Sequence, residues 1–348
     1  MQYGLFAAKA VTVLVVIVLA VGAIATTIRQ SRQSHSPERL EVRSLNERFE
    51  WLADSVKSEF QSAAEAKAAA KAKKKADKAK NKAAKAATKA GKTPDANPRI
   101  FVLDFDGNLS ADGNDALRDE ISAVLQAAQP HDQVLLRLES PGGLVHAYGL
   151  AASQLQRIRD KGLKLTVAVD KMAASGGYLM ACVANHIISA PFAVLGSIGV
   201  VAQVPNVHRL LKKHDVDIEL HTAGAYKRTL TMLGENTEEG RAKFREELEL
   251  THSLFKSFVA EHRPQLDIEA VATGEHWYGQ QALALKLTDQ LQTSDDWLLS
   301  QVDSADLIHV RFKPPQTLSD RLSLSLLRLA RGLRSSADEA MQRPHTRL

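Results

Sequence analysis

Residues 163–189, LKLTVAVDKMAASGGYLMACVANHIIS, decide the fold class. Leu163–Val169 is a short apolar run with strand character, and His186–Ser189 is a second. Between them Ser175–Ala184 reads as a helix that opens directly on a Ser-Gly-Gly turn. Strand, helix and strand in one stretch of this size make a crossover unit, which joins parallel strands. Working outward, Ile100–Phe105 and Gln133–Leu138 are further strands, and Asp115–Ala128 and His146–Lys161 are the helices between them. The alternation predicts an α/β domain, a mostly parallel sheet covered by helices.

Composition agrees with a folded core. Of 348 residues, 45% are hydrophobic and 24% charged, which excludes a wholly disordered chain, and 19 glycines are too few for a collagen. A single cysteine, Cys182, excludes an intrachain disulfide and a cysteine-based metal cluster; it reads as core packing. No cofactor or metal is expected. The formal charge of +5 is uneven: residues 67–92 hold eleven lysines against Asp77, a local +10, which leaves the remainder at −5.

The amino-terminal third is built differently. Ala10–Ile28 is 19 positions without a charge, about 28 Å as a helix and close to the ~30 Å hydrocarbon core of a bilayer. The run is longer than a signal-peptide core, and little charge precedes Lys9, so an uncleaved anchor is favoured over a secretory signal cut at Ala23-Ile24-Ala25. Arg29, Arg32, Arg39 and Arg43 place the following chain in the cytoplasm by the positive-inside rule, although long domains cross regardless of charge and a periplasmic facing stays open. Residues 40–92 read as helix: Leu40, Val42, Leu45, Phe49 and Leu52 form an apolar stripe, and an Ala/Lys run follows as a solvated spacer. Contact with anionic lipid is the sharper reading of those lysines. Nucleic acid is excluded as a partner, because no aromatics interleave them for base stacking. Ile187–Val204 is also uncharged, but Pro191, Gly196 and Gly199 break it, so no second membrane span is expected there.

Two strand ends carry chemistry. After Gln133–Leu138 comes Ser140-Pro141-Gly142-Gly143; after Leu163–Val169 comes Ala173-Ala174-Ser175-Gly176-Gly177-Tyr178. Small residues let the backbone turn tightly and bring N–H groups up to a ligand. Ser175, where a strand gives way to a helix, sits beside free N–H groups and a positive dipole, a seat for a nucleophile whose transition state develops an oxyanion. The nine histidines between 131 and 276 fit no His-dependent triad. A lysine can serve as the base if apolar surroundings keep its amine neutral. Lys227, in Thr222-Ala223-Gly224-Ala225-Tyr226-Lys227-Arg228-Thr229 after the strand-like Ile218–His221, is the candidate.

Taken in order, SPGG (140–143), ASGGY (174–178), GSIGV (196–200), TAGAYKRTLT (222–231) and GEHWYGQQA (274–282) resemble the signal peptide peptidase A family of Ser–Lys peptidases, and within it the inner-membrane branch. That resemblance implies the fold of Clp protease and crotonase. It implies Ser175 as nucleophile, Lys227 as general base, the N–H groups of Gly142 and Gly176 as oxyanion hole, and Ser197 as the residue orienting the Lys227 amine. Trp277, Tyr278 and Gln280 would be a packing element. It also implies a homo-oligomer whose adjoining subunits complete the site, acting on peptide or unfolded polypeptide substrates. One departure stands out: Leu285-Lys286-Leu287-Thr288-Asp289 lacks the glycine usual before this motif, which alters a helix end and no catalytic position.

The organisation expected is an anchor (1–32), a helical basic spacer and linker (33–98), a peptidase domain (99–305) and a tail (306–348). In the tail, Leu322, Leu326, Leu329 and Leu333 share one face of a basic amphipathic helix suited to a membrane surface, a neighbouring subunit or its own domain. The leading function is a membrane-anchored serine endopeptidase. Its rivals are an acyl-thioester-binding protein of the same fold and a non-catalytic membrane scaffold.

Overall fold

Ten strands and the helices between them follow the crossover pattern in a computed structural model that describes residues 39–62, scattered positions between 64 and 82, and 97–313. The strands are β1 (Arg39–Ser44), β2 (Arg99–Asp106), β3 (Gln133–Glu139), β4 (Lys164–Val169), β5 (Met172–Ala174), β6 (His186–Ser189), β7 (Val194–Gly196), β8 (His276–Tyr278), β9 (Gln290–Leu291) and β10 (Asp306–Lys313). The main sheet has the order β1-β10-β2-β3-β4-β6-β9, and every pairing from β10 to β9 is parallel. A second sheet, β5-β7-β8, joins a parallel pair to an antiparallel one. The α/β class and the mostly parallel sheet are as the sequence predicted.

The residues from Glu41 to Arg311 form one compact unit. Both faces of its main sheet are covered, so its central strands are apolar nearly end to end. On one face, Phe101, Leu103 and Phe105 pack with Leu117, Ile121, Tyr148 and Leu155 from the helices Asn114–Ala127 and Val145–Asp160. On the other, Ile100, Val102 and Leu135 meet Leu298 and Leu45. Tyr148, Ala151, Ala152, Leu155 and Ile158 recur three to four apart, and that stripe is why Val145–Asp160 is an amphipathic helix.

Two expectations are corrected. Residues 39–44 are a strand rather than the start of a helix, and the helix opens at Leu45 with Ser44 as its cap, its side chain accepting from the Glu47 N–H. The spacing of two between Leu40 and Val42 is a strand period, and Ser44-x-x-Glu47 is a helix-start pattern. Asn46 then ties that helix down: its Oδ1 accepts from the Leu307 N–H at 2.7 Å and its amide donates to the Val302 and Ala305 carbonyls. Ile218–His221 pairs with no strand and is exposed. Ile187–Val204 is divided between β6, β7 and turns, and among the described residues no helix is long and apolar enough to cross a membrane. The stretch Ala10–Ile28 and the tail helix at 318–334 lie outside the described residues. The described positions between 64 and 82 are helical.

Candidate active site

The two chemical turns, 35 residues apart in sequence, interlock (Ser140 and Ser175). Strand β3 delivers Ser140 beside β5: the Ser140 N–H donates to the Met172 carbonyl at 2.8 Å, and the Ala174 N–H donates to the Ser140 carbonyl at 3.0 Å. Gly142, at φ +85°, then lies so close to the second turn that a Cβ there would sit 2.6 Å from the Gly176 nitrogen and 2.7 Å from the Ser175 Cβ. Only glycine fits both the left-handed backbone and the gap. A Cβ at Gly177 would stand 2.6 Å from the Ser140 carbonyl oxygen, so the contact is built from both sides.

Ser175 is the hinge between β5 and the helix Gly176–Ala181. Its backbone is held at φ 52°, ψ −120°, outside the regions a serine normally occupies. The strain is fixed by the Ser175 N–H donating to the Gly196 carbonyl at 2.8 Å and by the buried Gly176 and Gly177 that follow it. The side chain is half-buried, and among the described residues its hydroxyl has no hydrogen-bond partner. A sharply turned, unpartnered hydroxyl beside first-turn N–H groups can act as a nucleophile. Ser197 follows Gly196 and is likewise at φ 52°, its N–H donating to the Glu275 carbonyl.

The structure therefore brings Ser175, Gly142, Gly176 and the Gly196–Ser197 turn together. Lys227 is not joined to them. It lies on an exposed segment, its N–H donating to the Gly224 carbonyl at 3.2 Å, and its side chain makes no hydrogen bond to Ser175 or Ser197. Its neighbour Tyr226 leans on the long helix Glu238–His262, with the Lys243 ammonium 5.3 Å from the centre of its ring. Val201, at 92% exposure, and Met232 and Leu233 belong to the same uncovered stretch. Cys182 is buried as expected, and burial pushes its thiol pKa far up, so it stays a neutral packing group. Trp277 packs its ring against Gly196, where a Cβ would lie 2.8 Å from the indole.

One buried group was not legible in the motifs. Tyr148 is fully buried, with its hydroxyl 2.6 Å from the Ser140 Oγ and donating to the Asn108 carbonyl at 2.7 Å. The Ser140 Oγ in turn accepts from the Gly142 N–H at 3.1 Å. Burial raises the Tyr148 pKa above that of an ordinary phenol, so it remains a donor.

Comparison with known proteins identifies the frame around this geometry. Residues 1–155 match peptidase family S49 N-terminal and residues 157–307 match peptidase family S49. A Haemophilus influenzae protein described as probable protease SohB is 54% identical over 318 residues, 91% of this chain and 90% of its own length. The chain belongs to peptidase family S49. A probable protease SohB of Buchnera aphidicola subsp. Acyrthosiphon pisum is 58% identical over 228 residues, 66% of this chain and 68% of that protein. Two solved structures of mutants of a membrane-bound stomatin-specific protease, the second with a substrate peptide, align with TM-scores of 0.42 and 0.41 at 13% and 12% identity. They cover 64% and 66% of this chain and 100% and 98% of theirs. Of the three readings open in the sequence, the serine-type peptidase stands.

Proposed function

We propose that this S49 peptidase is a membrane-anchored endopeptidase working through a Ser175–Lys227 dyad. The Ser175 hydroxyl attacks the scissile carbonyl carbon; the Lys227 amine takes the hydroxyl proton and later delivers it to the leaving amine. The oxyanion is held by the Gly176 N–H at the helix start and by the Gly142 N–H, which it shares with the Ser140 Oγ. Ser197 orients the Lys227 amine. The observation that carries this reading is the interlock of Gly142 with Gly176 beside an unpartnered, sharply turned Ser175.

The exposed position of Lys227 fits a site completed by assembly. A second copy of the chain laid on the uncovered 200–236 segment would supply the apolar surroundings a lysine base needs, so the working form is a homo-oligomer. The peptidase domain (99–305) takes in β1, the helix Leu45–Lys57 and β10 from its flanks; an anchor (1–32) and the lysine tract (67–92) hold it at a bacterial inner membrane, with lipid as a further partner of that tract and of the chain beyond residue 313. The arginines after Ile28 favour a cytoplasmic facing. The substrates are membrane-derived, signal-peptide-like or misfolded polypeptides. This membrane setting stands on the uncharged run 10–28 and the lysine tract, not on the described residues.

The test is hydrolysis of an unfolded protein and of an apolar fluorogenic peptide by the detergent-purified full chain. Ser175→Ala and Lys227→Ala should each lower turnover on the order of a thousandfold or more, with oligomer mass unchanged. Equal turnover in all three proteins would end the dyad reading. A reporter fused after residue 348 that is active only in the periplasm would reverse the facing.

A further inference from the structure

The hydrogen bonds around Ser140 have only one possible direction, and that direction leads to Tyr148. A carbonyl accepts and never donates, so the bond between Tyr148 and the Asn108 carbonyl (2.7 Å) uses the phenol proton. The 2.6 Å contact with Ser140 must then run the other way, from the serine hydroxyl to the phenol oxygen. With its proton spent, the Ser140 Oγ can only accept, and the Gly142 N–H fills that place at 3.1 Å. The result is a buried chain from Gly142 N–H through Ser140 and Tyr148 to Asn108, in which each bond polarises the next. There is no slack around it: a Cβ at Gly107 would stand 2.6 Å from both the Ser140 Oγ and the Tyr148 hydroxyl.

The same tyrosine reaches the other turn. A Cβ at Gly176 would lie 2.4 Å from the Tyr148 Cγ, so the ring is the wall on which Gly176 rests. Phe105 braces that ring edge-on, with centroids 6.5 Å apart. One fully buried side chain thus backs Gly176 with its ring and aims Gly142 with its hydroxyl. We infer that Tyr148 is a positioning residue for peptide hydrolysis, setting the spacing and direction of the two N–H groups that receive the oxyanion. It acts through Ser140 and touches no reacting atom. The inference rests on the Ser175 mechanism proposed above.

Tyr148→Phe keeps the ring against Gly176 and removes the phenol. The Ser140 hydroxyl is then free to rotate and the Gly142 turn loses its tether. A misaimed oxyanion donor weakens the transition state more than the bound substrate, so the loss belongs in kcat. With the full chain and the fluorogenic peptide, Tyr148→Phe should lower kcat about tenfold, leaving KM within about twofold. It should weaken a peptide aldehyde, whose serine adduct puts an oxygen in the hole, by the same factor. Ser140→Ala should reproduce the loss, and the double variant should be no worse than Ser140→Ala alone, since both break one chain. Far-ultraviolet circular dichroism on each variant confirms that the folded fraction is being compared.

Unchanged kcat in Tyr148→Phe overturns the inference, as does a loss confined to KM or one that multiplies in the double variant. A rise in kcat for Ser140→Ala also overturns it, because the serine would then be competing for the Gly142 N–H rather than aiming it. Ser175→Ala, run alongside, separates the two levels. If it still cleaves, the mechanism beneath falls and takes the inference with it. If it is silent while Tyr148→Phe is fully active, only the role of Tyr148 falls.

Discussion

At the scale of single residues, backbone conformations outside the usual regions mark where function or packing has overridden local preference. Gly142 is one such place. Gly142→Ala would have to push its methyl into the Gly176 nitrogen at 2.6 Å while holding φ near +85°. If Gly142 is the oxyanion donor proposed above, turnover should fall at least a hundredfold, since a shift of under an ångström at such a donor is already costly; near-normal turnover would separate this turn from catalysis. Lys286 is the opposite case. It occupies φ 62° just past the helix Gly279–Ala284, where the Leu287 N–H returns to the Ala282 carbonyl. That is the left-handed helix end for which glycine is preferred, and the exposed lysine has no packing reason to be there. Lys286→Gly should therefore raise stability by about 1 kcal/mol in urea unfolding without changing kcat. The two turns, Ser140–Gly143 and Ser175–Gly177, are legible in the sequence because small residues at a strand end are a local signal. Tyr148 is not: its partner Asn108 is 40 positions away, and nothing about an isolated tyrosine on a helix announces a carbonyl across a turn.

At the scale of elements, the strands were legible wherever burial on both faces made them continuously apolar, as in β2, β3 and β4. β1 is hidden in the sequence because six residues give too few periods to set against a longer helical stripe that begins where it ends. The polar groups that cross between strands were equally out of reach, and one set predicts a pH response. Asp104 on β2 accepts a paired hydrogen bond from Arg137 on β3, at 2.6 and 3.0 Å, and a bond from His309 on β10 at 2.8 Å. Burial by itself would raise the Asp104 pKa, but those hydrogen bonds and the positive charges outweigh it and hold the carboxyl at about 2, against 3.8 for a free side chain. A carboxylate depressed in the folded state stabilises above its unfolded pKa, and that stability is lost as pH falls from about 4 through 2. With the side chain a third exposed, its share is at most about 2 kcal/mol. Asp104→Asn should lower stability near neutral pH by up to that amount and flatten the decline between pH 4 and 2. An unchanged acid limb in urea titrations would show that the three-strand clamp contributes nothing.

At the scale of the whole molecule, the problem is that the proposed base, Lys227, and the proposed nucleophile, Ser175, are not in contact within one chain. A lysine base needs apolar surroundings, and Lys227 is exposed in the single chain. The motif singles out Lys227 in the sequence, and in the proposed assembly its surroundings would come from a second copy of the chain. Val201 is the sharpest probe of what covers it. It is 92% exposed two residues beyond Gly199, on the stretch that follows the Ser197 turn and leads toward Lys227, so in an isolated chain it contributes almost nothing to the core. A charge there should be harmless to the fold and damaging to a dry contact, where an unpaired carboxylate is costly. Val201→Glu should leave the unfolding free energy of dissociated chains within about 0.5 kcal/mol of wild type; if the proposed homo-oligomer closes over this face, it should also reduce the mass seen by light scattering and lower kcat in step. Val201→Gln, uncharged and of similar size, should fall between. If Val201→Glu keeps both its mass and its turnover, this face is not the one that closes over Lys227. If mass holds while turnover collapses, the exposed valine meets substrate rather than a second copy.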